Sequence, residues 1–161
     1  MSWKSEIKLT AQQSMAVVYR PDEIYTVAAN VLFNIVGGPV WIHALFAVLA
    51  ADLDGVAAGS TANFTINGVA VDNGAVPVAG GAVGQLMLCP LDDTATAPVV
   101  VNLPAVSLPS PAALVVGGGK ILATNVPGEI TLVVGVADFD GACAFYCLYQ
   151  KMAPQSLVVV A

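Results

Sequence analysis

The sequence predicts an all-β fold, an antiparallel sandwich or barrel of jelly-roll type with about nine to eleven short strands. Three observations carry this. Ala and Val, 26 of each, make up more than half of the apolar residues, a composition that suits close-packed sheets rather than helices around a roomy pocket. Short apolar runs recur between Gly, Pro and Asn-Gly signals, the spacing of sandwiches and barrels. No long run shows a convincing helical period.

In chain order, the first β-branched run is Thr26 to Val36, ended by Gly37-Gly38-Pro39, which reads as a turn. Val40 to Ala50 follows and is apolar on both alternating faces. Val40, Ile42, Ala44, Phe46 and Val48 form one face, and Trp41, His43, Leu45, Ala47 and Leu49 the other. That predicts a buried strand, although its Ala and Leu would also suit a helix. Thr61 to Ile66 alternates cleanly, with Ala62, Phe64 and Ile66 inward. Asn67-Gly68 then predicts a tight hairpin returning over Val69 to Asp72. Between Thr65 and Asp138 no aromatic residue occurs. Runs at 85–88, 98–103, 112–116 and 120–123 predict further short strands among the prolines. The last third is the clearest. Ile130, Leu132, Val134 and Val136 share a face, Asp138-Phe139-Asp140-Gly141 turns the chain, and Cys143, Phe145, Cys147 and Tyr149 share the next. Pro154 breaks that strand and Leu157 to Val160 supplies the last.

The chain of 161 residues predicts residues 21–161 as one β domain after an N-terminal segment, 1–20. That segment holds three of the five cations, Lys4, Lys8 and Arg20. It reads either as a terminus with a first short strand or as an arm reaching a neighbour. Residues 1–8 contain no apolar stretch of a secretory leader.

Charge excludes several functions. Only 10% of residues are charged and the net charge is −6, which argues against nucleic-acid binding. His43 is the sole histidine, and no nucleophile-elbow motif accompanies it, so an enzyme is not expected. It reads as a hydrogen-bonded core or interface residue. The uncharged run from Ile24 to Ala51 is long enough to span a bilayer, but Gly-Gly-Pro interrupts it and its flanks are acidic, so no membrane segment is expected. Cys89, Cys143 and Cys147 are odd in number and poorly spaced for zinc, and read as buried free thiols. Gly117-Gly118-Gly119-Lys120 lacks the spacing of a phosphate loop.

Two segments echo each other, Ala51-Asp-Leu-Asp-Gly55 and Ala137-Asp-Phe-Asp-Gly141. Asp52 with Asp54 and Asp138 with Asp140 have the Asp-x-Asp-Gly start of a calcium loop, but no further acids follow. The turn reading is preferred, with calcium left open and no metal or cofactor assigned. The echo fits two similar hairpins of a double-Greek-key sandwich.

A chain this small leaves about 30% of its unfolded surface in contact with solvent, and with so few charges that surface must be unusually apolar. Partner subunits are the expected cover. Phe33-Asn34-Ile35-Val36-Gly37-Gly38-Pro39-Val40 leading into Ile42–Leu45, then Ala57-Ala58-Gly59-Ser60-Thr61-Ala62-Asn63, then Tyr149, Pro154 and Leu157-Val158-Val159-Val160-Ala161 resemble small virion structural proteins of tailed bacteriophages. These are the head-decoration or capsid-associated type. At Ala47–Ala51 the chain stays apolar where that group has a polar strand end. The resemblance implies a β-rich homo-oligomer, a trimer, that binds the major capsid protein on the head surface after synthesis in the host cytoplasm. Trp3, Lys4, Lys8, Arg20 and Trp41 are the expected shell or subunit contacts. The alternatives are a tail, fibre or other surface-coat subunit, or a small-ligand or carbohydrate-binding sandwich.

Overall fold

The computed structural model describes residues 15–53, 60–71, 76–78, 81–89, 91, 99–101, 121–123 and 126–161. Among them are twelve strands and no helix. The strands are β1 (Met15–Glu23), β2 (Ala28–Val36), β3 (Val40–Leu49), β4 (Thr61–Ile66), β5 (Val69–Ala70) and β6 (Val76–Pro77). They continue with β7 (Leu86–Cys89), β8 (Val99–Val101), β9 (Ile121–Ala123), β10 (Gly128–Gly135), β11 (Cys143–Lys151) and β12 (Leu157–Val160).

Two antiparallel sheets result. Sheet A has the order β1-β11-β3-β7-β8, with β9 also on β3. Sheet B has the order β12-β2-β10-β4-β5, with β6 also on β4. The pairing is nested: β1 with β11, β2 with β10, β3 with β9, and β4 with β5 and β6. A long hairpin rolled across itself gives this pattern, so the sandwich is a jelly roll, not a closed barrel. Two of its positions are split. On β3, β9 holds Val40–Ile42 and β7 holds Leu45–Val48; on β4, β6 and β5 divide the edge in the same way.

The expected runs became these strands, and β4 buries Ala62, Phe64 and Ile66 as predicted. The Asn67-Gly68 turn has φ of 53° and 76°, the pair of positive values a two-residue hairpin takes. In β3 the two-face reading is corrected. The ladder with β11 slips between Leu148–Ala44 and Tyr149–Ile42, leaving His43 as an extra residue in a bulge. Val40 and Ile42 therefore point inward before the bulge, and Leu45, Ala47 and Leu49 after it. Each face combines residues from both predicted sets. Val136 also leaves the face it was expected to share with Ile130, Leu132 and Val134. The chain reverses there in a three-residue turn, with Ala137 N donating to Gly135 O at 2.9 Å, φ of 70° and the side chain 77% exposed. The expected boundary at residue 20 falls inside β1. The predicted run 112–116 lies outside the described residues.

Apolar faces of the two sheets meet in one core. Its aromatic seam is Phe64 of β4 against Phe145 of β11, ring centroids 6.1 Å apart, with Tyr25 edge-on to Phe145 at 5.2 Å and to Phe139 at 6.4 Å. Edge-to-face geometry aligns ring edge and ring face charge favourably. Cys89, Cys143 and Cys147 are buried and form no disulfide, as expected. The Gly37-Gly38 turn packs on the chain between β11 and β12. A Cβ at Gly37 would collide with the Gln155 carbonyl oxygen, and its φ of 73° independently favours glycine.

Candidate interaction surface

The two sheets present different outer faces. On sheet B, β4 sends out Thr61, Asn63 and Thr65, β2 sends Asn34 with Val31 and Val36, β10 sends Glu129 and Val133 beside the nearly buried Thr131, and the edge strand β12 exposes Leu157 and Val159. Polar and apolar side chains are mixed here, and a carboxylate stands among them.

Sheet A is different. The register aligns Tyr19 of β1, Tyr146 of β11, Phe46 of β3 and Leu88 of β7 in one row. Tyr19 and Tyr146 have ring centroids 4.9 Å apart, and Tyr146 stacks on Phe46 at 5.1 Å with the planes 10° from parallel. The next row holds Val17, Leu148 and Ala44. Beyond it come Met15, Gln150 and Trp41, with His43 Nε2 3.2 Å from Gln150 Oε1. On the other side lie Val48 and Leu86. None of these side chains is charged. Charge begins at the rim, where Asp22 lies near Tyr19. Met15, Val17 and Tyr19 are exposed, and the others are half-buried by their neighbours.

Of the expected contact residues, Trp41 lies on this face. Trp3, Lys4 and Lys8 lie outside the described residues. Arg20 is engaged within the fold, its side chain 15% exposed. Nη1 donates to Val31 O and Leu32 O at 3.0 and 3.1 Å and to Ala161 O at 3.3 Å, while Nε and Nη2 donate to Glu23 Oε2 at 3.0 and 2.6 Å. The two β2 carbonyls sit where the β2–β10 ladder bulges, so the guanidinium ties β1 of one sheet to β2 and β12 of the other. The Tyr25 hydroxyl is sealed in nearby without a hydrogen bond of normal geometry. Burial raises it to about 12, and the Arg20 charge pulls the other way.

The echoed segments form matching clasps. Asp52 Oδ1 accepts from Val83 N, and Leu53 N donates to Gly81 O. Asp138 Oδ1 accepts from Val27 N, and Phe139 N donates to Tyr25 O. Each Asp thus holds a neighbouring loop by the same two-residue span, and each following side chain, Leu53 or Phe139, is buried. The two clasps touch, since a Cβ at Gly141 would lie 2.6 Å from Asp52 O. This is turn chemistry. Among the described residues no three His, Cys, Asp or Glu side chains gather as metal ligands, and Asp54 lies outside them.

An open cleft of about 330 Å³ is lined by Asn34, Asn67, Gly68, Pro127, Gly128 and Glu129. It contains one carboxylate and no nucleophile. No helix there is long and apolar enough to cross a membrane. No family model, curated protein or solved structure matches the chain. Sequence reasoning named Trp41 but missed the Tyr19–Tyr146–Phe46 row. Its signal was present as strands apolar on both alternating faces, which a single-sided sheet does not need.

Proposed function

We propose that the protein is a virion structural subunit of a tailed bacteriophage, a capsid decoration or cement protein that assembles as a homotrimer and binds the head shell. One observation carries this reading: an uncharged, aromatic outer sheet face on a jelly roll that has very few charges to spend anywhere. Such a face is costly in water and gains on the order of 25 cal/mol for each Å² of apolar surface covered, so assembly is its natural use. The resemblance of Phe33–Val40 and of the Leu157–Ala161 ending to head-associated proteins supplies the setting. Trp3, Lys4 and Lys8 are proposed to reach an acidic patch of the major capsid protein.

The test is mass spectrometry of purified virions whose genome encodes this chain, separated into heads and tails. The chain is expected in the heads. Its presence in tails alone would replace decoration with a tail or fibre role, and its absence from both would overturn the virion reading. Deleting residues 1–14, which spares β1, is expected to abolish binding to heads while leaving the oligomer intact.

A further inference from the structure

We infer that the outer face of sheet A is buried against a second copy of this chain, with the Tyr19–Tyr146–Phe46 row at the centre of the contact. The inference rests on the assembly reading above and assigns it a surface.

Area, charge and chemistry agree on this occupant. The five strands β1, β11, β3, β7 and β8 contain roughly 35 residues, each covering about 16 Å² of sheet plane at the usual strand spacing and rise. That is about 560 Å² per copy and about 1,100 Å² between two, before side-chain relief is added. A specific interface needs roughly 1,000 Å² in total. Two copies each carry a net charge of −6 and repel over most of their surfaces. On this face uncharged side chains meet at the centre and the carboxylate beside Tyr19, Asp22, is left at the rim, whereas on sheet B Glu129 stands on the inner strand β10. The same row on each copy also supplies its own complement, since stacked and edge-on rings at 4.5–7 Å satisfy one another. Contact of this face with itself closes a pair, and contact with a different surface of the neighbour closes a ring such as a trimer.

The experiment is light scattering across a dilution series on the full chain and on Val17→Lys, Tyr19→Lys and Val69→Lys. Val17 and Tyr19 are already exposed on β1, and Val69 is exposed on β5 of the other sheet. Placing a lysine in a buried contact with no partner is expected to weaken assembly on the order of a hundredfold or more. Val17→Lys and Tyr19→Lys should therefore fall to the single-chain mass of 16.3 kDa, where the natural chain and Val69→Lys remain assembled. Circular dichroism of the dissociated variants should retain the β spectrum, separating dissociation from unfolding. Assembly that persists unchanged in Val17→Lys and Tyr19→Lys would overturn the assigned face while leaving a virion role intact. So would equal dissociation of Val69→Lys. A natural chain that is monomeric because its own residues cover the face would also overturn it. Dissociation as expected, in a protein found absent from virions, would sustain the face and sink the proposed function.

Discussion

Val136 holds a conformation that a β-branched residue rarely adopts, with φ of 70° and its side chain almost wholly in solvent. Nothing in the core rewards that geometry, so the valine costs stability. Positive φ costs an ordinary residue about 1–2 kcal/mol, and glycine gives back part of the gain through its greater unfolded entropy. Val136→Gly is expected to stabilise the fold by about 1 kcal/mol, a rise in Tm of roughly 2–4 °C at this chain length. A fall in Tm would mean that the side chain makes a contact worth more than the strain. Arg20 works in the opposite direction. Its loss leaves the Val31 and Leu32 carbonyls without their donor at the open edge between the sheets. Arg20→Ala is expected to cost about 2–3 kcal/mol, whereas Glu23→Gln, which disturbs only a surface ion pair, should cost under about 1 kcal/mol. Equal losses, read by urea denaturation, would show that the inter-sheet bonds contribute little. The buried thiols set a pH limit. Burial, aided for Cys143 by Asp22, pushes Cys143 and Cys147 up to about 12 from an ordinary value of 9.0. Between those values the unfolded chain releases thiol protons that the folded chain keeps, so stability is fully present below pH 9 and declines as pH rises toward 12. Tm at fixed protein concentration should be level from pH 7 to 8.5 and fall above 9, less steeply in Cys147→Ala. A level Tm to pH 11 would contradict the burial of these groups.

At the scale of elements, the paired clasps explain why two Asp-x-Asp-Gly segments recur. Each follows a long strand, β3 or β10, and each Asp accepts an amide from the loop it must hold against the sandwich end. Asp52→Ala and Asp138→Ala are each expected to cost about 1–2 kcal/mol, the usual loss when a carboxylate cap is removed from backbone amides. Calcium should leave the Tm of the natural chain unchanged. A rise of several degrees on adding calcium, lost in Asp138→Ala, would make the segment an ion site. Alternation made most of the elements readable in advance, because β4, β10 and β11 each expose one face and bury the other. The faces of β3 were not readable. A bulge at His43 adds one residue to the count and changes the inward parity halfway along. The histidine is the one polar residue of the run, but a single polar residue between apolar neighbours on both faces does not reveal a bulge. Of the split partners, β9 was expected from the run at 120–123, whereas β6 was hidden, since it is two residues long and owes its strand conformation to β4. Arg20 was visible as a cation, but its inward role depends on carbonyls eleven or more residues away, which no local pattern reveals.

At the scale of the molecule, scarcity of charge and the jelly roll are one fact seen twice. A sandwich with a polar outer face on both sheets needs strands that alternate polar and apolar throughout, and among the described strands β4 of sheet B does so most fully. Sheet A takes strands that are apolar on both faces, which fills the core on one side and leaves an aromatic plane on the other. The central claim is that this plane is completed by further copies of the chain. The most direct measurement is the solution mass of the unmodified full-length protein by light scattering over a hundredfold range of concentration. The account predicts a stable integral multiple of 16.3 kDa, with three copies matching the decoration reading. A single-chain mass at every concentration would contradict it.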